Sequence, residues 1–271
     1  MITRLLAIFL FGATVTALPM SPARAAQCGG DFNTFLAAIA GEAAAAGVPR
    51  DLTARAFAGL HPDPAVLSFD RRQRGTFRKT WQEYAATRVI PARVTRAKSL
   101  LRKHAALLAR VERQSGVPPE IVMAIWTLES DNGGGDLGKL SVVRTLATLA
   151  HDCRRTALFQ GELLAALQIL HRGDMNLETM KGAFAGELGQ TQFLPSSYIK
   201  YGIDMDGDGR VDLRRSIPDV LASTANLLKV NGWQAGAPYG ENSKNFEVLR
   251  EWNRSMVYRQ TIVYFAGKLK E

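Results

Sequence analysis

Apolar positions recur at helical spacing over most of the chain, and the clearest instance is Val117 to Gly135. Pro118 and Pro119 predict a helix start, since proline fixes φ and lacks an N–H that the first turn would leave unbonded. Ile121, Ile125, Leu128 and Glu129 then fall at i, i+4, i+7 and i+8, one face of a helix. Ser130-Asp131-Asn132 and a glycine run end it. Upstream, Asp31 to Ala46 reads as an alanine-rich helix with Phe32, Phe35, Leu36 and Ile39 on one face. Asp51 is expected to cap a second helix through Leu60. His61 to Pro64 is a loop, and Ile90-Pro91 opens a long helical pattern to about Ser115. Downstream, helices are expected at Leu140 to Leu149 and at Thr156 to His171, the latter with Leu158, Leu163, Leu167 and Leu170 apolar. Lys181 to Phe193 is a glycine-punctuated loop, Pro195 opens a short helix, and Ile217 to Val230 is a helix closed by Asn231-Gly232. Phe246 to Phe265 reads as one last helix. No internal repeat and no series of paired strands is visible. The pattern predicts a mainly α fold with one small β element near Gly232 to Leu249.

Composition changes this picture little: 46% hydrophobic and 22% charged residues give an ordinary globular balance with a sizeable core. The N-terminus changes it more. Residues 1–25 read as a signal peptide, with Arg4 in a positive n-region, an apolar run from Leu5 to Leu18, and Ala23-Arg24-Ala25 as a small-x-small cleavage site. Gln27 before Cys28 does not suit a lipoprotein site, so an exported, periplasmic protein is expected. Cleavage removes Arg4 and Arg24 and no acid, taking the formal charge from +9 to +7. Such a charge suits an anionic partner, cell-wall polymer or membrane surface. No Lys/Arg tract is long enough to indicate nucleic acid. The basic stretch Arg71 to Lys79 either meets an anionic glycan or is a solvated face. Cys28 and Cys153 either form a disulfide, as paired cysteines do in oxidising compartments, or are two inert thiols.

The candidate chemistry centres on Glu129. A glutamate held against apolar surface has its charged form disfavoured and can carry a proton near neutrality, as a general acid must; the alternative is a solvated residue at a frayed helix end. A glycosidase normally needs a second carboxylate about 5 to 10 Å away, and none is evident. Asp131, two residues on, would point away if the helix continued. Gly-x-Ser-x-Gly and His-Glu-x-x-His are absent, and the four histidines show no ligand spacing. Asp204 to Asp212 matches an EF-hand loop at positions 1, 3, 5, 6 and 9, so calcium is expected, with an Asp/Gly surface turn as the alternative. Position 12 is Arg215 instead of a bidentate Glu.

Three segments, GVPPEIVMAIWTLESDNGGG, KGAFAGELGQTQFLPSSYIKYGIDMDGDG and ASTANLLKVNGW, resemble the membrane-bound lytic transglycosylase B family of murein-degrading enzymes, from roughly Phe77 to Phe265. The resemblance implies a lysozyme-like, mostly helical catalytic domain, here residues 116–271, with residues 26–115 as an N-terminal helical region packed on it. It implies cleavage of the MurNAc–GlcNAc β-1,4 bond of peptidoglycan without water, leaving a 1,6-anhydromuramoyl end. That chemistry would explain the missing carboxylate. By position, Glu129 matches the family's acid/base, Gln192 its sugar-binding glutamine and Phe193 the aromatic beside it. Asn253 and Tyr258 match a C-terminal pair lining the site, and Tyr84 an aromatic of the glycan cleft. Asp219 matches a later Asp that stands in for the EF-hand glutamate, which makes Asp204, Asp206, Asp208, Arg210 and Asp219 the candidate metal residues. Ala183 and Leu227 depart from the family pattern, each removing a polar contact. A lysozyme-type hydrolase and a catalytically weak peptidoglycan-binding module are the rival readings.

Overall fold

The structure, a computed structural model, describes residues 26–72 and 79–271. The expected signal peptide and most of the basic stretch Arg71 to Lys79 lie outside the described residues. Among those described, thirteen helices run in the order α1 (Phe32–Ala45), α2 (Arg50–Phe57), α3 (Pro64–Arg72), α4 (Trp81–Arg88), α5 (Pro91–Lys103), α6 (Ala105–Ser115), α7 (Pro119–Ser130), α8 (Val142–His151), α9 (Thr156–Arg172), α10 (Pro195–Tyr201), α11 (Ile217–Val230), α12 (Lys244–Trp252) and α13 (Met256–Lys270). No described helix is long and apolar enough to cross a membrane.

Helix α7 is the axis. Every residue from Ile121 to Leu128 is buried, so the single apolar stripe expected there is a helix apolar all round, as a central helix must be. Helices α5, α6, α11 and α13 enclose it. One hydrophobic cluster runs from Ala26 to Leu269. At the N-terminal end, Asp31 caps α1 by accepting from Thr34 N at 2.7 Å, and Phe35, Leu36 and Ile39 bury against α8 and α9. Cys28 and Cys153 form a disulfide, and Gly29 N donates to the His151 carbonyl at 2.9 Å. Closing a loop of 125 residues contributes about 4–5 kcal/mol in the chain-entropy model.

Several expectations are corrected. Pro49, not Asp51, is the N-cap of α2; Asp51 lies in the first turn, bonded to Arg55, and the helix stops at Phe57. The pattern from Pro91 to Ser115 is two helices broken at His104. Leu158 is exposed, because α9 buries the face carrying Phe159, Leu163, Leu167 and Leu170. The β element is elsewhere: Leu140–Ser141 (β1) pairs antiparallel with Lys181–Gly182 (β2). Gly182 is required there, since a Cβ would fall 2.2 Å from the Glu187 carbonyl oxygen. Near Gly232 the side chain of Asn245 takes the place of a strand partner, accepting from Gln234 N at 2.7 Å and donating to the carbonyls of Gln234 and Ala237. The expected last helix is two, α12 and α13. Asn253 is extended at the C-cap of α12 and accepts from Ser255 N at 2.9 Å, while Ser255 caps α13.

Candidate active site

That break between α12 and α13 builds the site. It brings Trp252, the last residue of α12, and Tyr258, in the first turn of α13, to the same carboxylate. Trp252 Nε1 donates to Glu129 Oε1 at 2.8 Å and the Tyr258 hydroxyl donates to the same oxygen at 2.6 Å. No other hydrogen bond reaches the Glu129 carboxylate among the described residues, and Oε2 has no partner among them. Glu129 keeps some exposed surface, yet it lies deep among protein atoms, and desolvation pushes its pKa above the ordinary glutamate value. The Tyr258 and Trp252 hydrogen bonds oppose that rise, the charge of Glu187 adds to it, and Arg88 opposes it. Tyr258 is itself pushed far above the usual phenol range, by burial first and by the Glu129 charge second. It therefore remains a donor at any working pH.

The backbone just past Glu129 is strained. Asp131 and Asn132 both have positive φ, 52° and 59°, a conformation that costs a non-glycine residue on the order of 1–3 kcal/mol. Side chains over-determine it: Arg93 and Arg96 of α5 reach the Asp131 carboxylate at 3.4 and 3.3 Å, and Asn132 Nδ2 donates to Thr127 Oγ1 at 2.9 Å. The helix stops at Ser130, so the continuing helix that would point Asp131 away from Glu129 is not there.

Among the residues singled out from sequence, the structure gathers Glu129, Tyr258, Tyr84 and Phe193. The Tyr84 ring centroid is 6.2 Å from that of Tyr258, and the Phe193 centroid 5.5 Å from that of Trp252. Gln192 and Asn253 stand beside these in the chain without bonding Glu129. Gln192 has φ 55° and donates from Nε2 to the Gly189 carbonyl at 2.8 Å. Its loop is held by buried Gln190, which accepts from Trp126 Nε1 at 2.7 Å and donates to the Arg214 carbonyl at 3.0 Å. Trp252 and Glu187 are the residues that sequence reasoning missed. The signal for Trp252 was the cap chemistry of Asn253 and Ser255, which marks a chain reversal next to it; for Glu187 it was an acid inside the glycine-punctuated loop.

A second carboxylate centre shares no residue with this one. Oxygens of Asp204, Asp206 and Asp219 lie within 4.8 Å of one another. Asp204 accepts from Gly207 N and Gly209 N at 2.7 and 2.8 Å, and Asp219 from Met205 N and Asp212 N, both at 2.8 Å. Asp219 is buried, and burial first, then the Asp206 charge, raises its pKa, against hydrogen bonds that lower it. No Lys or Arg pairs with any of the three among the described residues. Asp208 and Arg210 are outside the trio, with Arg210 N donating to Asp208 Oδ1 at 2.9 Å.

A family profile described as "Transglycosylase SLT domain" matches residues 31–244, and the chain belongs to that family. Membrane-bound lytic murein transglycosylase B of Escherichia coli K12 is 34% identical over 157 residues, 58% of this chain and 43% of that protein; the chain thus spans under half of that relative's length. Among solved structures, SltB3 from Pseudomonas aeruginosa in complex with NAG-NAM-pentapeptide superposes with a TM-score of 0.82 at 31% identity, covering 89% of this chain and 80% of that one. Escherichia coli Slt35 in complex with calcium superposes with a TM-score of 0.77 at 23% identity, covering 93% and 98%, a likeness of fold alone. The mainly α, lysozyme-like class expected from sequence is thereby established.

Proposed function

We propose that the protein is a periplasmic lytic transglycosylase, cleaving the MurNAc–GlcNAc β-1,4 bond of peptidoglycan to leave a 1,6-anhydromuramoyl end. The observation that carries this reading is Glu129, a desolvated carboxyl with two donors on one oxygen and no partner on the other among the described residues. Two donors make Oε1 the acceptor oxygen, which leaves Oε2 as the oxygen that carries the proton when the carboxyl is protonated. From there it passes to the leaving glycosidic oxygen, giving Glu129 the role of general acid. The resulting carboxylate, steadied by Tyr258 and Trp252, takes the proton of the sugar's own C6 hydroxyl as that oxygen closes on C1. The substrate's N-acetyl group stabilises the developing cation. Gln192 and Asn253 hydrogen-bond the glycan, and Phe193 and Tyr84 line it.

Residues 116–271 would supply the acid and residues 26–115 a helical region packed on them, with 1–25 a cleaved leader. Asp204, Asp206 and Asp219 form an all-oxygen donor set without a counter-ion, which suits a hard cation; calcium there would be structural. Asp208 and Arg210 complete the proposed loop. A lysozyme-type hydrolase is the second reading, and Glu187, a second carboxylate whose charge is felt at Glu129, is the observation in its favour. Mass spectrometry of digested sacculi tests the proposal. Anhydro ends are expected; reducing ends would make the protein a hydrolase, and binding without release a peptidoglycan-binding module.

A further inference from the structure

Arg88, the last residue of α4, has a guanidinium that the chemistry above does not use. Its Cζ lies 5.4 Å from the centroid of the Tyr84 ring. That ring is 6.2 Å from Tyr258, whose hydroxyl is 2.6 Å from Glu129. Two ring contacts therefore separate an exposed cation from the acid, and its charge is felt at Glu129, Tyr258 and Tyr84 alike. Arg93 and Arg96, on the next helix, are both paired with Asp131. Arg88 has no carboxylate partner among the described residues, and residues 1–25 and 73–78 contain no Asp or Glu. Arg93 also reaches the Arg88 carbonyl at 3.4 Å. Of these three arginines two share the single carboxylate of Asp131, and Arg88 is left without one among the described residues.

An arginine is planar, always charged, and matches a carboxylate with two parallel hydrogen bonds. Stacking on an aromatic ring orients it before the ligand arrives. Resting on the function proposed above, the reacting sugar is a muramyl residue. Its lactyl arm ends in a free carboxylate on peptide-free glycan, or bears a peptide stem with carboxylates of its own. We propose that Arg88 recognises a carboxylate on this lactyl–peptide arm, so that the site prefers muramyl glycan to uncharged N-acetylglucosamine polymer of the same length.

Calorimetry on the mature protein carrying Glu129→Gln, which binds without turnover, tests this with three ligands. These are chitotetraose, a peptide-free GlcNAc–MurNAc tetrasaccharide with free lactyl carboxylates, and the same tetrasaccharide bearing stem peptides. Anionic glycan is expected to bind about tenfold tighter than chitotetraose, the scale of one charge-assisted hydrogen-bonded contact. Adding Arg88→Gln should remove most of that preference, while Arg88→Lys should retain part of it. Loss confined to the peptide-free ligand identifies the lactyl carboxylate; loss confined to the third identifies the stem. Equal affinity losses for all three ligands in Arg88→Gln, or no change in any, would overturn the inference. Failure of the Glu129→Gln protein with Arg88 intact to bind any glycan would overturn the proposed function instead.

Discussion

The two carboxylate centres of this molecule are built in opposite ways. Glu129 stands singly, and the groups that bond it come from 123 and 129 residues away. Both are neutral, and desolvation lifts its pKa. At Asp204, Asp206 and Asp219 three carboxylates are gathered within sixteen residues of chain, and backbone N–H groups hold them. A lone desolvated carboxyl with neutral donors is suited to holding and passing a proton. Several carboxylates crowded together with no cation beside them are suited to holding a metal ion. Number and surroundings separate the two roles, since the functional group is the same.

The largest expected effect breaks the first centre. Glu129→Gln keeps size and both donors but cannot transfer a proton, and sacculus digestion should fall by roughly 10²–10⁴-fold. The same substitution should raise the melting temperature at neutral pH. A folded-state pKa lifted above the unfolded one gives stability that is present below the unfolded value and lost as pH rises through the folded value. The gain should therefore shrink toward acid pH; melting curves at several pH values check both signs.

The proposed cation role of the second centre is tested by adding and removing calcium. Calcium at a hundred times its dissociation constant should stabilise the protein by about 2.7 kcal/mol. Asp206→Asn should abolish the response. Identical melting curves in millimolar calcium and in chelator would reduce the loop to a plain turn.

Smaller effects sharpen the first centre. Tyr258→Phe removes one of two donors to Oε1, and kcat/KM should fall about tenfold, the scale of one hydrogen bond to a charged group. The alkaline limb of its pH profile should move up, because the Tyr258 bond lowers the Glu129 pKa. Glu187→Gln should move that limb down, because the Glu187 charge raises it. A limb unmoved in both variants would detach the profile from Glu129.

The contrast also explains what was legible in the sequence. The acidic loop is local, so its spacing and its glycine turn are visible in nine consecutive residues, and only the distant member, Asp219, needed a family pattern. Helix α7 was visible through Pro119 and the breaker after Ser130, although its full burial was not, because periodicity cannot report how many neighbours surround a helix. The cap chemistry of Asn253 and Ser255 marks a chain reversal beside Trp252, but nothing local says that the reversal turns this tryptophan toward an acid 123 positions away. The break at His104 carries no glycine or proline and no side-chain cap, so packing decides it. The strand expected near Gly232 failed for a different reason, since one asparagine side chain supplied the hydrogen bonds a partner strand would have made.

The central claim, that Glu129 is held as a proton donor, can be tested on the carboxyl itself. Carbon-13 NMR of glutamate-labelled protein, with Glu129→Gln to assign the resonance, follows its titration directly. We expect a midpoint above the ordinary glutamate value of about 4.3, moving lower in Glu187→Gln. A midpoint at or below that value, unmoved by Glu187, would contradict the claim.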